Sequence, residues 1–144
     1  MYTIRTMQLT DYDAVMALMQ QTPGVSIRDA DSREATQRYL DRNPGLSFVA
    51  HADGAIAGCI MSGHDGRRGY LQHLLVVPAC RKQGIARDLV GHCVAALATL
   101  GIAKSHVDVL ITNAPAQAYW ERAGWTRRDD IYRYSLVSAG GANA

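Results

Sequence analysis

Apolar positions along the chain change period several times, and each change marks an element. Thr3 to Met7 alternates as a short opening strand; Val15, Leu18 and Met19 then recur at helical spacing behind Thr10 or Asp11 as a cap. Thr22-Pro23-Gly24 breaks that helix. Asp31-Ser32-Arg33-Glu34 has the spacing of a capping box, and Ala35, Tyr39 and Leu40 follow with helical period until Asn43-Pro44-Gly45.

From Leu46 the period shortens to two. Leu46–His51 and Ala55–Ser62 read as strands joined through Ala52-Asp53-Gly54, a hairpin signal. His64-Asp65-Gly66 is a further turn, and Tyr70–Val77 a third strand of this run. Gly84 opens the longest helix, whose apolar stripe is Ile85, Leu89, Cys93, Leu97 and Leu100, with Gly101 as its C-terminal cap. Val107–Ile111 is a β-branched strand, Pro115 starts a short helix that Gly124 ends, and Ile131–Val137 alternates weakly as a last strand. Residues 139–144 have nothing to bury and are expected to form a flexible tail. The predicted order β-α-α-β-β-β-α-β-α-β, without repeats or a dividing linker, is one α/β domain over residues 1–138 with a mixed sheet.

Composition narrows the classes. With 144 residues, 48% hydrophobic and 19% charged, the chain can bury a core without staples. A formal charge of +2 is too weak a bias to argue for nucleic acid or a membrane surface. The most apolar run, Leu74 to Cys80, is strand-sized, and Met1-Tyr2-Thr3-Ile4-Arg5 does not open a secretory signal. Cys59, Cys80 and Cys93 show no CxxC spacing or His–Cys cluster, so neither a disulfide framework nor a metal site is expected. A reducing cytoplasm is the expected location.

The segment richest in chemistry is Val76-Val77-Pro78-Ala79-Cys80-Arg81-Lys82-Gln83-Gly84-Ile85-Ala86-Arg87. A strand runs into a basic turn, a glycine and a long helix, and a helix start with free N–H groups is an anion site. Gly84 lets backbone approach a phosphate, Ala86 keeps the approach open, and Arg81, Lys82 and Arg87 add charge. The plainer reading is a solvated helix start with a few basic residues.

Arg81-Lys82-Gln83-Gly84-Ile85-Ala86 resembles the Q/R-x-x-G-x-G/A signature of the GNAT superfamily of N-acetyltransferases. Downstream, Asn113 to Trp125 resembles that family's N-x-x-A-x-x-hydrophobic-Y-E-x-x-G-aromatic motif, so the resemblance covers nearly the whole chain. It implies a mainly antiparallel mixed sheet flanked by helices, with two parallel central strands splayed to form an acetyl-CoA cleft. The pantetheine arm of acetyl-CoA would pair with main-chain groups of Leu74, Leu75 and Val76, the pyrophosphate with amides from Lys82, Gln83, Gly84, Ile85, Ala86 and Arg87, and Asn113 would contact the arm. Asn113 also suits a helix N-cap. The implied reaction is direct attack of a primary amine on the thioester, with CoA as product, no acyl-enzyme and no metal.

Such a reaction needs a base, a carbonyl donor and an acid. The resemblance makes the Val76 N–H the carbonyl donor. Two bases stand open. Asp108 is an acid within an otherwise apolar strand and lies five positions before Asn113, whereas His73 approaches the loop on its strand. The family's tyrosine acid falls on Trp120, whose indole cannot deliver a proton. Tyr119 through a local shift, Tyr132, Tyr134 or water are the substitutes, and Trp120 would be a wall. The acceptor, a small-molecule or peptide amine, would be selected by residues 20–43 and the last strand. The resemblance leaves a homodimer open. A non-catalytic acyl-CoA sensor, and a flavodoxin-like phosphate-binding module, are the competing readings.

Overall fold

The strand Ala55–His64 shows how the sheet is covered, because it is buried for seven consecutive residues, Ala57 to Gly63. Period-two alternation sends Cys59 and Met61 to one face and Gly58 and Ile60 to the other. Cys59 and Met61 join Val15, Leu18 and Met19 of the first helix in one apolar cluster. A side chain at Gly58 would instead stand 3.3 Å from Ile85 and 3.4 Å from Leu89 of the long helix, and 2.8 Å from the Leu75 carbonyl. The missing side chain thus lets that helix lie close on the sheet.

A computed structural model describes residues 1–144. Its elements are β1 (Tyr2–Thr6), α1 (Tyr12–Gln21), α2 (Arg33–Arg42), β2 (Phe48–Ala52), β3 (Ala55–His64), β4 (Gly69–Val76), α3 (Ile85–Thr99), β5 (Ser105–Val107) and α4 (Ala114–Arg122). The chain divides into two compact units, Met1–Asp108 and Val109–Ala144. In the first, the five strands lie in sequence order, β1 to β4 antiparallel and β5 parallel to β4. This is the expected mixed, mainly antiparallel α/β sheet flanked by helices. Asp53 and Gly54 both take left-handed φ, +52° and +77°, as the two-residue turn of the β2–β3 hairpin requires.

Three local expectations are corrected. The N-cap of α2 is Ser32, whose side chain accepts from the Ala35 N–H at 3.1 Å, so Asp31 is freed for other partners. The strand expected at Val107–Ile111 is observed at Ser105–Val107. In the second unit Ile131–Val137 forms no strand, because that unit offers α4 as its regular element and no strand to pair with. No helix is long and apolar enough to cross a membrane.

Candidate active site

The site is organised along β4, which behaves differently at its two ends. Its N-terminal residues pair with β5, from Gly69↔Ser105 to Leu71↔Val107. Beyond Leu71 the strand continues to Val76 with β3 as its partner in this unit. The Val77 N–H donates to Ala57 O of β3 at 2.8 Å. Alternation therefore turns Leu75 toward β3 and turns the N–H and C=O groups of Leu74 and Val76 to the opposite edge. On that edge the Val76 carbonyl accepts from Arg81 Nε at 3.1 Å.

At its C-terminal end β4 runs through a 3-10 turn, Pro78–Cys80, into the loop that starts α3. Lys82 and Gly84 hold left-handed φ of +63° and +90°. The first intrahelical bond is from Asp88 N–H to Gly84 O at 3.0 Å, and no side chain caps the helix. The N–H groups of Ile85, Ala86 and Arg87 are left without intrahelical partners, at the positive end of a 15-residue helix. Any side chain at 84 would be strained by the positive φ and would stand 3.0 Å from the Arg87 guanidinium. The cradle is open because residue 84 is glycine, and a phosphate fits it. Asp88, an acid in this first turn, accepts from the Tyr2 hydroxyl and lies 3.5 Å from Arg87 Nε. The Tyr2 hydrogen bond, then Arg87, holds its carboxyl below the usual range.

Midway along β4 the register slips. Cys59 pairs with Leu75 and Met61 with Gln72, so Ile60 faces two residues, His73 and Leu74. This β-bulge is centred on His73, which holds φ of +54°. A non-glycine residue in that region carries about 1–3 kcal/mol of strain, and its neighbours must hold it there. Two contacts do so. The His73 carbonyl accepts from the Cys59 thiol at 3.4 Å, and the ring Nε2 lies 2.8 Å from Asp31 Oδ1. Both side chains are largely buried, 19% and 12% exposed. Asp31 is fixed in turn: its Oδ2 accepts from the Arg28 N–H at 2.8 Å and its carbonyl from the Tyr12 hydroxyl at 2.6 Å. A cavity of about 10 Å³ beside it, lined by Gln8, Tyr12, Asp31 and Thr36 among others, holds at most one water.

The other sequence-predicted residues are distributed more widely. Asp108 follows β5 rather than lying within it, as the final residue of the first unit, so the argument from a carboxylate inside an apolar strand does not apply. In the second unit Asn113 caps α4, its Oδ1 accepting from Ala116 N–H at 3.2 Å. Trp120 is 7% exposed and packs edge-on against Trp125, ring centroids 4.8 Å apart, and against Tyr119 at 5.2 Å. Cys59 and Cys93 are fully buried, which pushes their thiols up to about 12 and about 11. No group of three His, Cys, Asp or Glu side chains is arranged to hold a metal ion. Asp31 and Tyr2 are the site's unanticipated members. Their partners lie 42 and 86 positions away, and no local spacing announces them.

A mixed sheet whose bulged fourth strand runs into a glycine-opened helix start defines the class, an α/β protein. The chain belongs to the acetyltransferase (GNAT) family, whose model matches residues 12–125. It is 30% identical over 128 residues to an acetyltransferase of Yersinia enterocolitica, covering 89% of this chain and 90% of that protein. Its fold is similar to that of AAC(6')-Iy in complex with the bisubstrate analogue CoA-S-monomethyl-acetylneamine, at 22% identity and TM-score 0.74 over 95% of this chain and 99% of that one. It is also similar to the ribosomal-protein-S18-alanine N-acetyltransferase of Escherichia coli, at 24% identity and TM-score 0.70 over 86% and 77%. The protein is therefore an acetyltransferase, as its two motifs implied.

Proposed function

We propose that this chain transfers the acetyl group of acetyl-CoA to a primary amine by direct attack. The observation that carries the reading is the glycine-opened, uncapped start of α3 at the end of β4. Bound acetyl-CoA supplies an activated acetyl group and a thiolate leaving group. Main-chain N–H groups from Lys82 to Arg87 hold the pyrophosphate, with Arg81, Lys82 and Arg87 adding charge. The edge groups of Leu74 and Val76 align the pantetheine arm, Leu75 backs them from the β3 side, and the Val76 N–H polarises the thioester carbonyl. Asn113, which caps α4, is the residue that the family resemblance assigns to the CoA arm.

His73 is the base. It is the ionisable side chain that the β4 bulge re-aims, and its ring is held by a carboxylate. Asp108, the residue that follows β5, is the alternative base. For the acid, the family resemblance points to the position of Trp120, which packs against Trp125 and Tyr119 and has no proton to give, so the adjacent Tyr119 is the candidate. Burial and the raised thiols disfavour Cys59 and Cys93 as nucleophiles. The acceptor is a small-molecule or peptide amine: one similar protein is bound to an acetylneamine conjugate, and another is named for a ribosomal-protein alanine. All three cysteines are free, which suits a reducing cytoplasm.

Thermal shift and thiol release test this reading together. Acetyl-CoA at a hundredfold over its Kd stabilises the fold by about 2.7 kcal/mol, and Gly84→Asp removes the shift. Free thiol appears only when an acceptor from a panel of amines is present. A shift that survives Gly84→Asp overturns the phosphate cradle, and binding without turnover on every amine identifies a sensor instead.

A further inference from the structure

We propose that Asp31 is the positioning residue for His73: its carboxylate holds the imidazole with the proton on Nε2, so that Nδ1 is the acceptor for the proton leaving the amine. This inference rests on the reading of His73 as the base. The 2.8 Å contact joins Nε2 to Oδ1, and an ionised carboxylate can only accept, so Nε2 carries the hydrogen. Nδ1 is then the ring's single lone pair. In the step itself the ammonium N–H bond breaks with its electron pair staying on the amine nitrogen. The Nδ1 lone pair forms the new N–H bond. The resulting imidazolium faces Asp31, which stabilises the charge without taking the proton.

Asp31 is suited to orient rather than to react. Both its oxygens are engaged, one by His73 and one by the Arg28 N–H, and the Tyr12 hydroxyl pins its carbonyl. The bulge needs such a partner, because a left-handed His73 has no local preference that would fix its ring. Asp31 ends the turn Asp29–Asp31 between α1 and α2, within the stretch expected to choose the acceptor. The segment that meets the amine therefore also orients the group that deprotonates it, and changes in this stretch alter kcat as well as acceptor KM.

Steady-state kinetics on His73→Gln, Asp31→Asn and the double variant test this, using acetyl-CoA and the best acceptor among an aminoglycoside, a polyamine and a peptide with a free N-terminal alanine. His73→Gln lowers kcat by about 10²–10⁴-fold. Asp31→Asn, which keeps size and can still accept from Arg28, lowers kcat by about 10–100-fold at unchanged acetyl-CoA KM. It costs nothing more in the His73→Gln background, and Asp31→Glu recovers part of the loss. Nitrogen-15 NMR shows His73 protonated on Nε2 in the parent and a mixture of tautomers in Asp31→Asn. Equal losses from Asp31→Asn in both backgrounds, or a parent His73 protonated on Nδ1, overturn the positioning role while leaving the base in place. Full activity in His73→Gln overturns the base and with it this inference. If Asp31→Asn does not fold, the parent spectrum alone decides.

Discussion

Asp11 and Asp31 close the same kind of turn and are put to different use. Each ends a three-residue 3-10 turn, Leu9–Asp11 and Asp29–Asp31, and each Oδ2 accepts at 2.8 Å from the N–H three residues back, Gln8 and Arg28. Each Oδ1 meets a nitrogen from a strand: Arg5 Nη2 of β1 at 2.7 Å, His73 Nε2 of β4 at 2.8 Å. The differences lie in the strands and their side chains. Arg5 sits in regular register opposite Val49 and binds both oxygens of Asp11, with Nη1 adding a 2.8 Å bond. A guanidinium keeps its proton, so this clamp is permanent. His73 sits in a bulge and offers one nitrogen, and imidazole as a class exchanges protons near neutrality. One closure engages both carboxylate oxygens with a guanidinium; the other joins one ring nitrogen and leaves the second outside the pair.

The comparison breaks most sharply if the second clamp is converted into the first. His73→Arg puts a permanent cation beside Asp31 that cannot accept a proton, so kcat falls by at least about 10²-fold while the melting temperature stays close to the parent's. Retained turnover would remove the distinction. The reciprocal change acts on stability alone. Asp11→Asn leaves Arg5 without its charged partner and costs roughly 1–3 kcal/mol in thermal unfolding, with kcat per folded molecule unchanged.

Acid tests the first clamp alone. The Arg5 hydrogen bonds, helped by the Gln8 N–H and opposed by burial, hold the Asp11 carboxyl below its usual range. A group depressed on folding stabilises above its unfolded pKa, and that contribution is lost as pH falls through the folded one. Parent stability thus declines below about pH 4, and less of that decline remains in Asp11→Asn. The smallest effect is at Cys59, which donates to the His73 carbonyl. With its thiol pushed up to about 12, it stays unlabelled by alkylating reagents at pH 8 in the native protein, whereas half-buried Cys80 reacts.

These two clamps also mark how far reading residues in order can go. The β2–β3 hairpin was legible because Asp53-Gly54 carries its own conformational preference, and the α3 cradle because its glycine and helix start are neighbours in sequence. Asp31 was visible as part of a helix start, yet its Oδ1 partner is a histidine 42 positions away. The shift of one residue in the cap, from Asp31 to Ser32, is what frees the carboxylate, and sequence spacing alone tolerates either choice. Ile131–Val137 shows the same limit, since an alternating pattern states a preference for pairing but cannot name the partner.

The bulge in β4 also amounts to a change of phase. Gly69 faces Leu97 of α3, and Leu71 shares its side by alternation, whereas Leu75 packs with the α1 cluster. Four residues apart, Leu71 and Leu75 would share a face in an unbroken strand. The irregularity is therefore recorded in chain length, as a count of residues between two leucines, and not in the identity of the residue that occupies it. Substitution at position 73 leaves that count unchanged, so Leu71 and Leu75 keep their layers whichever side chain stands between them. Losing or gaining a single residue between Leu71 and Leu75 would turn one of them out of its layer. The active centre is thus open to change by replacement and closed to change by insertion or deletion.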